Sequence, residues 1–183
     1  MHPIYRWWKP RGGPIVQVML LAMVLALAAS AGGAATCPPE LFRIARNTNA
    51  NEVVYLARQA PDGTLDTRDP IRAEWQMLAE DGRREELKPV ERQLAYGFSV
   101  RPAGSGGGYV VILKARPDRP VTLSLRGGCP FASVTINGRP ADLRRIFVQA
   151  KNGLGPIPTV AWAELEGIDP ATGARIQERV FPK

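Results

Sequence analysis

The chain contains one histidine, His2, and it falls in a leader that the mature protein is expected to lose. Without an imidazole, a Ser-His-Asp triad, a Cys-His pair and a histidine-based metal site are excluded together. There are two cysteines, Cys37 and Cys129, with no C-x-x-C spacing to depress a thiol pKa. Neither a G-x-S-x-G nucleophile elbow nor a G-x-x-x-x-G-K phosphate loop occurs. The string Asp62-Gly63-Thr64-Leu65-Asp66 departs from the D-x-[DN]-x-[DN]-G calcium pattern. Basic residues are scattered, with Arg83-Arg84 and Arg144-Arg145 as the doublets, so the basic stripe with interleaved aromatics of a nucleic-acid binder is missing. No cofactor, metal or nucleic-acid partner is expected.

What is present begins with the leader. Residues 1–31 read as a secretory signal peptide: a basic head (Arg6, Lys9, Arg11), an apolar run from Ile15 to Ala29, and the small residues Ala29-Ser30-Ala31 for cleavage. Retention as an anchor is the alternative, but the run is interrupted by Gln17 and is short of the ~20 apolar residues of a spanning helix. Cleavage leaves no stable membrane span and places the protein in the periplasm or outside the cell. It removes three basic residues and no acidic one, so the formal charge of +7 becomes +4. The remaining ~150 residues suit one domain with one core. Residues 32–40 form a lead-in containing Pro38 and Pro39, and 41–183 a single β domain. In an oxidising compartment Cys37 and Cys129 read as a disulfide that staples the lead-in to the body.

Period-2 alternation dominates the mature region. Ile71, Ala73, Trp75 and Met77 alternate with Arg72, Glu74 and Gln76; Val121, Leu123 and Leu125 alternate with Thr122, Ser124 and Arg126. Ala132, Val134 and Ile136 do the same and run into Asn137-Gly138, a strong hairpin signal, with the returning strand at 141–150. Further strands are expected at 41–46, 52–59, 98–101, 109–115, 159–166 and 175–181, separated by turn residues such as Pro61-Asp62-Gly63 and Asp81-Gly82. One short helix is expected over 89–95, with Pro89 as its first residue and Gly97 ending it through a positive φ. The pattern predicts an all-β fold of eight to ten strands, an antiparallel β-sandwich or flattened up-and-down β-barrel with one short helix. Closure depends on shear, which leaves sandwich and barrel both open.

Three segments could carry function. Arg46-Asn47-Thr48-Asn49-Ala50-Asn51 is dense in donors and acceptors: as turn residues the asparagines would serve the backbone, whereas Arg46, Asn47, Asn49 and Asn51 could also line a polar binding mouth. Trp75, Glu91 and Tyr96 form a second group, readable as core plus a solvated charge or as a ligand platform. Lys151, in a glycine-rich stretch before Trp162, could contact an anion or remain a solvated loop charge. Alternation places Arg46 on the apolar face of Phe42 and Ile44, where a lone charge is costly. It should meet a carboxylate, with Glu91 and Glu74 as candidate partners, or a bound anion.

These strings also carry a resemblance. Leu41-Phe42-Arg43-Ile44 running into 46–55, Asp69-Pro70-Ile71 leading to Glu74-Trp75, Glu91-Arg92 with Ala95-Tyr96-Gly97, the Ile136-Asn137-Gly138 turn, and Pro158-Thr159-Val160 followed by 164–167, Asp169-Pro170 and Thr172-Gly173 resemble a family of exported bacterial proteins, domain of unknown function 4833. The resemblance spans about 41–181 and implies one extracytoplasmic domain, with 46–51 and Trp75, Glu91 and Tyr96 as family features. It carries over no catalytic residue. The expected function is therefore a non-catalytic binding or structural module of the cell envelope, holding an unidentified small anionic ligand or envelope component. The alternative is a histidine-free hydrolase of envelope glycans or peptides, working through carboxylates such as Glu74 and Glu91.

Overall fold

Strand β9 organises the molecule. The structure, a computed structural model, describes residues 37–93, 96–104, 107–151 and 159–182. In it β9 (Arg139–Lys151) is 13 residues long, about 40 Å at the usual rise per residue. One edge is shared by two partners in succession. Its first residues pair antiparallel with β8 (Cys129–Ile136), from Ile136↔Arg139 to Ser133↔Asp142. Arg145 to Val148 then pair with Arg43 to Arg46 of β1 (Glu40–Arg46), and this pairing is parallel. The opposite edge pairs from Asp142 to Lys151 with β10 (Thr159–Ile168), which in turn carries β11 (Arg175–Val180).

Two wings therefore leave the same strand. One runs β1, β2 (Asn49–Ala57), β3 (Ile71–Gln76) and β4 (Arg84–Glu86). The other runs β8, β7 (Val121–Arg126), β6 (Tyr109–Leu113) and β5 (Phe98–Pro102). All pairings within the wings are antiparallel. The result is a strongly curled mixed sheet, a half-barrel, and the all-β class is as the alternation implies. The parallel β1–β9 pairing departs from a purely antiparallel sheet, and β4, with every residue exposed and charged, is a strand that alternation did not reveal.

The inward faces follow the period of two. Ile71, Ala73 and Trp75 are buried while Arg72 points out, and Val121 and Leu123 are buried in the same register. Tyr55 of β2 is the link between the wings. Its ring stacks on Phe42 of β1 at 4.4 Å and meets Phe98 of β5 edge-on at 5.9 Å. Its buried hydroxyl donates to the Tyr96 carbonyl oxygen at 2.8 Å, satisfying a polar atom that burial would otherwise leave costly. Burial raises the Tyr55 pKa, so the phenol stays a donor. Asn137 has φ 49° and Gly138 φ 75°, the left-handed pair that a two-residue hairpin requires.

Helix α1 (Pro89–Gln93) connects the wings. Pro89 stands at its first position, and Glu91 reaches back to accept the Lys88 N–H at 2.8 Å, half of a capping box. Residues 94 and 95 of the expected helix lie outside the described residues. Gly97 does not have the positive φ expected of it. Glycine is needed there for space instead: a Cβ would come 1.7 Å from the Arg92 carbonyl oxygen.

Cys37 and Cys129 are joined by a disulfide across 92 positions, tying the chain just before β1 to the first residue of β8. Replacing both cysteines by alanine should lower the unfolding free energy in urea by about 2–5 kcal/mol, the usual cost of losing such a cross-link. A change below about 1 kcal/mol would show that the staple is not part of the fold's stability.

Candidate functional site

The inward-facing alternation of β1 ends on a charge. Phe42 and Ile44 enter the core and Arg46 follows on the same side. Its guanidinium carbon lies 5.4 Å from the centroid of the Tyr96 ring, a cation–π contact. Neither Glu91 nor Glu74 meets it, which corrects the expected ion pair. Glu91 accepts the Trp75 indole N–H at 3.0 Å and the Lys88 backbone N–H. Glu74 projects from the opposite face of β3 to Trp75 and pairs with Arg72 at 3.2 Å.

Arg46 is thus an exception. Arg43, Arg116, Arg119 and Arg145, the other partly buried arginines among the described residues, each lie against a carboxylate. Among the described residues Arg46 makes no ion pair, and its buried Nε has no hydrogen-bond partner. An N–H donor withdrawn from water without an acceptor is unfavourable by about 1–3 kcal/mol, more for a charged group.

The cavity beside it lies between the wings. Ile44 and Arg46 of β1, Ile146 and Val148 of β9 and Val160 of β10 form one side. Leu113 of β6 and Arg116, just past that strand, form the other. The cavity holds about 140 Å³ and its walls are mostly hydrocarbon. Arg116 also has a buried Nε without a hydrogen-bond partner, while its Nη2 pairs with Asp118 at 2.8 Å. Alternation could not single out Arg116, because it sits in the turn after β6, where its backbone N–H donates to the Leu113 carbonyl.

The asparagines serve the backbone. The Asn47 side chain donates to the Ala150 carbonyl at 3.2 Å and accepts the Ala150 N–H at 2.8 Å. It thereby extends the β1–β9 pairing by one side-chain rung and holds the strand end that lines the cavity. Asn49 Oδ1 accepts the Asn51 N–H at 2.9 Å, and Asn51 Oδ1 accepts the Ala79 N–H at 2.9 Å. Asn49 and Asn51 border a separate hollow of about 200 Å³ with Trp75 and Glu91, so the expected mouth divides in two. Lys151 is exposed at the end of β9, and the glycine-rich stretch after it, 152–158, lies outside the described residues.

Tyr96 lines the cavity at Arg46 and touches Trp75 of the second hollow. It is 5 % exposed, takes the edge contact of Trp75 at 5.2 Å on one side and faces Arg46 on the other. Burial pushes its phenol up to about 12, with Arg46 opposing and Glu91 adding to the rise. A third hollow of about 220 Å³ is bordered by Arg72, Arg92 and Lys114. Those cations are already engaged: Arg72 by Glu74, Arg92 by Glu86 at 3.4 Å, and Lys114 by the Gln93 carbonyl at 3.3 Å.

Fold and site together define a curled all-β module with a small apolar cavity and an unpaired guanidinium at its edge. The family model for the domain of unknown function DUF4833 matches residues 42–179, and the chain belongs to that family. No curated protein and no solved structure matches it.

Asn47→Ala should cost about 1 kcal/mol, the scale of a lost hydrogen bond to the backbone. Asn47→Asp should cost at least as much, because a carboxylate oxygen would face the Ala150 carbonyl. Urea denaturation of the two variants checks this, and an Asn47→Asp protein as stable as wild type would refute the clamp.

Proposed function

We propose that this protein is an exported, non-catalytic binding module of the cell envelope that holds a small anionic ligand at Arg46. The observation that carries the reading is a half-buried guanidinium, stacked on Tyr96 and bordering an apolar cavity, with no carboxylate against it among the described residues. Such a group is stabilised by an acceptor arriving from outside, and guanidinium–carboxylate or –phosphate contacts are among the stronger hydrogen bonds. A cavity with hydrocarbon walls and few polar groups is the usual form of a small-molecule site. Export is supported by the composition of the leader and by the Cys37–Cys129 disulfide, which suits an oxidising compartment. Among the described residues no helix is long and apolar enough to cross a membrane.

The hydrolase reading gains no comparable observation. Glu74 and Glu91 project from different elements to different partners and do not flank a common cleft.

Arg46→Met tests the reading. Methionine fills the space without the charge, so the variant should fold with stability within about 1 kcal/mol of wild type, since a buried charge replaced by an apolar group is often neutral or better. Thermal unfolding of the wild type should move upward with millimolar acetate, hexanoate or phosphate as probe anions, and the shift should vanish in Arg46→Met. A variant that keeps the shift, or a wild type stabilised by none of the three, contradicts the site. A large loss of stability in the variant without any probe effect would make Arg46 a structural residue.

A further inference from the structure

The cations at the hollow of Arg72, Arg92 and Lys114 already have partners, whereas the cavity between the wings is bordered by two arginines that each keep a buried Nε without a hydrogen-bond partner. We infer that it takes a monocarboxylate with an apolar body of about six carbons, held jointly by Arg46 and Arg116. The inference rests on the reading of Arg46 as an anion site and adds the class of ligand and the second arginine.

Charge sets the first limit. Two guanidiniums border the cavity, none of the described residues lining it is acidic, and Asp118 balances Arg116 alone. One positive charge is left over, which a monoanion neutralises. A phosphate monoester carries up to about two negative charges and a larger hydration shell, and hydrocarbon walls offer that shell nothing in exchange.

Volume and wall chemistry set the second. Ile44, Leu113, Ile146, Val148 and Val160 present aliphatic surface. A cavity of about 140 Å³ is close to the ~150 Å³ of an apolar protein cavity that accepts benzene. Six carbons fill such a space, and a longer chain must emerge into solvent. Geometry supplies the third: a carboxylate has two oxygens in one plane, able to accept from one guanidinium each, and the two arginines approach from different wings.

Calorimetric titration of the full chain with acetate, butanoate, hexanoate, decanoate, 1-hexanol and inorganic phosphate tests the inference. Affinity should rise about fourfold per methylene from acetate to hexanoate, the usual worth of a buried CH₂, and level off by decanoate. Hexanol and phosphate should bind about tenfold more weakly than hexanoate or worse, and Arg116→Gln should weaken hexanoate by a similar factor. The chain-length series on the wild type stands whether or not a variant folds. Phosphate or acetate binding as tightly as hexanoate, with Arg46→Met abolishing both, overturns the inference and leaves the anion site standing. Hexanol equal to hexanoate, or no binding by any probe, overturns both. Unchanged hexanoate affinity in a folded Arg116→Gln protein overturns the joint role of Arg116.

Discussion

Every backbone N–H and C=O of a buried strand needs a partner, and β9 meets that requirement with three strands rather than two. β8 and then β1 occupy successive lengths of one edge while β10 covers the other. Two strands that share an edge end to end cannot both continue in one flat sheet, because each carries its own twisted set of neighbours. The sheet divides into wings whose apolar faces turn toward each other. The Tyr55 hydroxyl on the Tyr96 carbonyl then fixes one wing against the segment that leads into the other, with a buried polar contact whose geometry, unlike that of hydrophobic packing, is directional.

The cavity is a consequence of that division. Where the wings diverge from β9, facing side chains do not reach across, and Arg46 and Arg116 border the gap instead of further aliphatic residues. The aromatic face of Tyr96 offsets part of the cost of holding Arg46 there, on the order of 1 kcal/mol for a partly exposed pair. The buried Nε–H without an acceptor carries its own cost, of about 1–3 kcal/mol, which an anion accepting from it would relieve. The buried carboxylates among the described residues are paired: Asp142 is met by both terminal nitrogens of Arg126, at 2.7 and 3.0 Å, and Asp169 is met by Arg139.

Much of the fold could be read from the residues, because half-buried strands write their inner face at every second position. Ile71, Ala73 and Trp75, or Ala132, Val134 and Ile136, needed no tertiary information, and neither did the Asn137-Gly138 turn or the Cys37–Cys129 bond. β4 escaped because an exposed edge strand of Arg84, Glu85 and Glu86 has no apolar face to alternate. The parallel β1–β9 pairing escaped because alternation is the same for either direction of a neighbour. At the site, the inward direction of Arg46 was legible from Phe42 and Ile44 two and four residues earlier. Its lack of a carboxylate was not, since Glu91 is committed to the Trp75 indole and the Lys88 N–H by a helix cap, a tertiary choice. Arg116 lies beyond the end of β6 and carries no periodic signal at all.

The account turns on whether the Arg46 guanidinium engages an anionic ligand. Its Nε–H can be followed by nitrogen-resolved magnetic resonance, with assignment by the Arg46→Met variant and hexanoate as the added anion. A solvent-shielded Nε–H that moves and exchanges more slowly with water as hexanoate is added, together with that of Arg116 and apart from exposed Arg68 and Arg101, is the predicted result. An Arg46 signal that stays fixed while the exposed arginines move, or that shows a full set of hydrogen bonds before any anion is present, would contradict it.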